Sequence, residues 1–189
     1  MKKGILIFAV MLSGIVASYS KGLKAGFKHV PAVAAGEEVL TNASNLNDTV
    51  TMVVINDAFV AQVLNRDLTI RNILKAYHFI DTYVKLIPNK NKGKVKDTLI
   101  NFTKAKTTYS FLKTSEGNTL TSAHIEGNTI STAGIAVGIS KDKFEKMIAV
   151  PNVSDVVIIE DKERTHRFIY TFNGKKLASI VYESPYHNY

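Results

Sequence analysis

Five histidines, His29, His78, His124, His166 and His187, are the side chains of this 189-residue chain best suited to metal or proton chemistry. His124 and Glu126 alternate onto one face of an expected strand, a spacing that suits two metal ligands. No third ligand accompanies them, and no pair of histidines has the helical spacing of a zinc-binding His-Glu-x-x-His motif. His78 falls beside the apolar stripe of an expected helix, where it reads as a boundary residue. Ser140, in Val-Gly-Ile-Ser-Lys, has Gly138 two positions before it but Asp142 two positions after it, so it does not form a nucleophile elbow. The Ser-x-x-Lys spacing is also missing, and helix capping accounts for Ser140. With no cysteine in the chain, thiolate metal sites, redox sites and disulfides are excluded. The residue types therefore point to no catalytic residue, no metal site and no cofactor, and to binding as the function.

Two binding chemistries are open. Lys90, Lys92, Lys94 and Lys96 alternate along one side of an extended segment, and with Lys85 they form the densest basic cluster in the sequence. Such a cluster could dock anionic lipid headgroups or glycan, or could be a solvated loop at a helix end, where cations favour the dipole. The other candidate is a mixed strand face carrying Arg167, Ile169, Thr171, Lys176, Ala178, Ile180 and Tyr182. Its Arg167, Ile169, Ile180 and Tyr182 are the expected contacts to a partner protein.

The N-terminus bears on location. Lys2 and Lys3 precede an apolar stretch from Ile5 to Ala17, and small residues follow through Ser20. This is the progression of a secretory signal, and it falls short of the roughly 20 apolar residues a spanning helix needs. The expected protein is exported, periplasmic or secreted, with no stable transmembrane segment after signal removal. The full chain carries 24 Lys and Arg against 16 Asp and Glu. Loss of the two signal lysines leaves an excess of +6, a modest attraction for anionic surfaces. Export argues against nucleic acid as the partner.

The elements expected to position these residues follow from periodicity. Residues 1–20 are the signal and 21–47 an extended lead-in. Asp48–Ile55 reads as a strand. Apolar residues at Ile70, Ile73, Leu74, Tyr77, Ile80, Val84 and Ile87 recur every three or four positions, predicting a helix over 67–87 with Asp67 as its cap and Pro88 as its stop. Strands are expected at 95–103, 107–113 and 119–125. A helix over 141–148 is expected behind Ser140, with Ile139 and Phe144 as a hydrophobic staple. Val153–Ile159 and a hairpin about Asn173-Gly174 complete the chain. A two-residue turn there would pair Tyr170 with Leu177 and His166 with Val181, placing Phe168, Tyr170, Phe172, Leu177 and Val181 in the core.

A helix followed by three strands thus occurs twice, in units spanning 48–128 and 129–189. The predicted class is α+β: two tandem helix-plus-meander units packed helix on sheet, together one compact domain. Gly134-Ile-Ala-Val-Gly-Ile-Ser-Lys-Asp-Lys-Phe144, Pro151, and Phe168-Ile-Tyr-Thr-Phe172 followed by Gly174-Lys-Lys-Leu177 resemble the module of β-lactamase-inhibitory proteins and of the small lipoproteins of outer-membrane assembly. The resemblance covers about fifty residues. It implies a tandem two-layer module whose sheet or loops grip other proteins. The chain lacks the lipobox cysteine, and no contact residue of those families falls within the matched motif.

Overall fold

The computed structural model describes residues 51–89 and 94–184, and the backbone of 39–42. All belong to one compact unit spanning Pro31–Tyr189. The expected signal, most of the lead-in, Lys90 and Lys92 lie outside the described residues.

The strands are β1 (Val39–Asn42), β2 (Thr51–Ile55), β3 (Asp81–Pro88), β4 (Lys96–Lys104), β5 (Thr107–Thr114), β6 (Gly117–Ile125), β7 (Ser131–Thr132), β8 (Ile135–Ala136), β9 (Val156–Glu160), β10 (Arg167–Asn173) and β11 (Lys176–Glu183). Nine of them form one sheet in the order β1-β2-β9-β10-β11-β6-β5-β4-β3, while β7 and β8 pair separately. Among the described strands, only β2 and β9 pair in parallel. The fold is therefore mostly β, and the prediction of two tandem helix-plus-three-strand units is incorrect. The β3–β6 and β9–β11 meanders are not separate sheets, because Ile180 pairs with Ile125 and Tyr182 with Ala123 across β11 and β6.

The longest predicted helix is also corrected. Helix α1 (Asp57–Gln62) starts ten residues before the expected position, runs into a π-helical turn at Val63–Asp67, and is followed by α2 (Ile70–Ala76). Asn56 caps α1 by accepting from the Phe59 amide at 2.6 Å, and Thr69 caps α2. Asp67 caps no helix; its carboxylate accepts from the amide of Ala133 at 2.6 Å. Beyond Ala76 the backbone turns extended, and 81–88 is β3. Thr82, Tyr83, Val84 and Ile87 favour the pleated backbone. This strand is apolar on both faces, so its apolar residues coincide with a helical period without forming one.

The other expected elements are present within two or three residues of their predicted bounds. Helix α3 (Lys141–Ile148) follows Ser140, whose hydroxyl accepts from the Lys143 amide, and it ends with Ala149 in the left-handed conformation. Phe144 from α3 and Phe59 from α1 both press on β10: Phe144 lies against Tyr170 and Phe172, and Phe59 against Phe168 and Tyr170. Both helices therefore cover the same face of the sheet. Full burial of each such ring contributes roughly 1.5–3 kcal/mol.

The hairpin register differs from the expected one in two ways: the two turn residues are Gly174 and Lys175 rather than Asn173 and Gly174, so Leu177 pairs with Phe172 instead of Tyr170, and a bulge follows. Asn173 pairs with Lys176 and Phe172 with Leu177, but Thr171 pairs with Ser179, leaving Ala178 as the extra residue. Below the bulge Tyr170 meets Ile180, Ile169 meets Val181, and Phe168 meets Tyr182. The alternation of β11 is inverted there. Ile180 and Tyr182 join Leu177 in the core, and Val181 moves to the opposite face. Gly174 opens the turn at φ +58, with open space where a Cβ would stand. Gly174→Val therefore brings backbone strain alone, costing about 1–3 kcal/mol. Urea unfolding should show a lower midpoint, and an unchanged one would contradict this turn geometry.

Candidate functional site on the sheet face opposite α1 and α3

Because side chains alternate, each core-facing row has an outward-facing row beside it. The pairings place Val53 beside Ile158, Ile158 beside Ile169, Ile169 beside Val181, and Val181 beside His124. Four β-branched aliphatic side chains thus line up across β2, β9, β10 and β11 on the face opposite α1 and α3, all half-buried. One flank is a row of Thr51, Val156, Thr171 and Ser179, in which all but Val156 bear hydroxyls. The other is charged, with Glu160, Arg167 and Glu183 in successive strands. Glu160 is held between Arg164, at 3.2 Å, and Arg167, at 3.5 Å. Such an apolar stripe with polar borders has the make-up of a protein contact surface.

The four residues expected to form one contact face are split. Arg167 and Ile169 do lie on this outer face. Ile180 and Tyr182 are 0% and 1% exposed and sit in the core, so they cannot touch a partner there. The residues that complete the face are Val181, which the hairpin reading assigned to the core, with Ile158 and Val53. No sequence signal marks Ala178 as a bulge. The β-branched alternation of β2 and β9 did carry the signal for Val53 and Ile158.

Tyr182 has a structural role in the core. Its ring lies 4.8 Å from that of Phe168, and its hydroxyl shares a 2.7 Å hydrogen bond with Nδ1 of His166. Burial pushes its phenol far above the ordinary value. His166, Tyr182, Leu68, Arg71, Phe111 and Leu120 border a cleft of about 480 Å³ between the π-helical turn and the sheet. Asp161 shapes the turn before β10. Burial disfavours its charge, but the amides of His166 and Thr165 and the Thr165 hydroxyl outweigh this and hold its carboxyl below the usual range.

His124 and Glu126 do meet, at 3.0 Å, and Lys106 joins them at 3.5 Å. The His124 hydrogen bond, with help from Lys106 against desolvation, lowers the Glu126 pKa. Among the described residues no group of three metal-ligating side chains occurs. The lysines are dispersed where they are described. Lys85 pairs with Leu99 and Lys96 with Pro88, a register that sends Lys85 and Lys96 to opposite faces; Lys94 is exposed in the turn before β4.

No family model, curated protein or solved structure matches this chain. The likeness of the C-terminal third to inhibitor-like modules therefore rests on its motif alone. No described helix is long and apolar enough to cross a membrane.

The two faces predict opposite responses to one substitution. Ile180→Glu buries a carboxylate among rings and should unfold a domain of ordinary stability. Ile169→Glu reaches solvent and should shift stability by about 1 kcal/mol or less. Thermal melts of the two variants compare them directly, and equal destabilisation would contradict the face assignment.

Proposed function

We propose that this chain is an exported, non-enzymatic recognition module that binds another protein through the face of its sheet opposite α1 and α3. One observation carries the reading. Val53, Ile158, Ile169 and Val181 form a continuous aliphatic row between a largely hydroxyl-bearing row and a charged row, on the face opposite α1 and α3. The partner that fits is a protein surface offering aliphatic side chains at its centre and hydrogen-bonding groups at its edge. Export is supported by Lys2, Lys3 and the Ile5–Ala17 apolar stretch.

Three polar clusters of the described residues serve the fold. Glu160 ties two arginines, Asp161 organises a turn, and Asp67 joins the π-helical turn to the segment before β8. Docking to anionic lipid or glycan has less support, since the described lysines are divided between two faces.

The experiment is capture from envelope extract by the immobilised protein as the cell processes it, beside its Ile169→Glu and Val181→Glu variants. Capture should persist at high ionic strength, because an apolar contact is little screened. Either variant should lose it while keeping its thermal midpoint. Wild-type capture by both folded variants would refute the reading.

A further inference from the structure

At the far end of the sheet from β1, β3 has no neighbour beyond β4 among the described residues. It is an unusual edge. Natural sheets keep edge strands short or heavily charged, because a free ladder of amides and carbonyls invites another strand. β3 is eight residues long, and Asp81 through Leu86 are exposed on both of its faces. Tyr83 is 62%, Val84 56% and Leu86 60% exposed, and Phe79 just before the strand is 82% exposed. The core-side row that is buried in every strand from β2 to β4 ends here in Thr82, Val84 and Leu86, which no described helix covers.

The side chains of β3 specify what fits beside it. Asp81, Tyr83 and Lys85 share one face, with the acid and the base each two residues from the tyrosine. An antiparallel second β3 centred on Tyr83 would set Asp81 opposite Lys85 of the other copy, and Lys85 opposite its Asp81. Thr82 would meet Val84 on the core side, and Ile80 would meet Leu86. This register joins odd positions to odd and even to even. The amides and carbonyls that point away from β4 therefore meet their counterparts, as an antiparallel ladder requires. Both sheets also keep their helices on the same side. Neither Asp81 nor Lys85 has an ion-pair partner among the described residues.

We infer that the β3 edge is a self-association surface, joining two copies of this chain into one continuous sheet through a two-fold axis at Tyr83. Opposite charges directly across an antiparallel pair stabilise it and like charges destabilise it. The contact is isologous, so the Asp81–Lys85 pair occurs twice and any change to it counts twice.

The test is analytical ultracentrifugation of the protein as the cell processes it, over a concentration series. The wild type should dimerise. Asp81→Lys and Lys85→Glu should each weaken the dimer on the order of tenfold, since each places like charges at both pairs. The double variant Asp81→Lys/Lys85→Glu should associate like the wild type. An equimolar mixture of the two single variants should form a heterodimer, in which every pair is again opposite in sign. Recovery in the mixture also shows that both single variants are folded. A wild type that stays monomeric, a dimer indifferent to the charge changes, or a mixture that fails to recover would each overturn the inference.

Discussion

A single row of side chains fixes how this sheet is built. Val54, Ile159, Phe168, Tyr182, Ala123, Tyr109 and Phe102 lie side by side from β2 to β4, each paired with the next across neighbouring strands. All are nearly or fully buried beneath the helical layer. Because strand side chains alternate with a period of two, one slipped residue would turn part of this row toward solvent. Two bulges keep the row continuous. Ala178 is the extra residue opposite Thr171 and Phe172, and Thr121 is the extra residue opposite Ser110 and Phe111.

The second bulge shows how polar groups are kept satisfied. The Thr121 hydroxyl donates to the Ser110 carbonyl at 3.0 Å, and the Thr121 carbonyl accepts from the Ser184 hydroxyl at 2.9 Å. Buried Thr132 shares a 2.9 Å bond with the Tyr170 hydroxyl, and buried Asn56 caps α1. Among the described residues, no buried side-chain nitrogen or oxygen lacks a partner. A strong preference for one core face also leaves the other free to specialise. The aliphatic row through Ile169 exists because each core residue beside it points the other way.

Much of this was legible in the sequence, and the failures have local causes. β4, β5, β6 and the capped helix α3 follow from β-branched runs, turn residues and Ser140, where local preference and tertiary demand agree. Helix 67–87 failed because Val84 and Ile87 fit a helical spacing while belonging to a strand apolar on both faces; Thr82, Tyr83 and Val84 were the better guide. The contact face was half legible. Arg167 and Ile169 precede the bulge in the pairing and were placed on the outer face. Ile180 and Tyr182 were misassigned because Ala178, an ordinary residue, absorbs the register shift. The joining of two meanders through β6 and β11 is a contact distant in sequence, and periodicity within either strand carries no trace of it.

The central claim is that the Ala178 bulge turns Ile180 and Tyr182 inward and Val181 outward. The natural absence of cysteine allows a direct measurement: single cysteines at positions 169, 180, 181 and 182, with the rate of thiol alkylation followed in the folded protein. The bulged register predicts faster labelling at 169 and 181 than at 180 and 182, where the thiol would lie in the core. Faster labelling at 180 and 182 than at 181 would contradict it and restore the unbulged pairing.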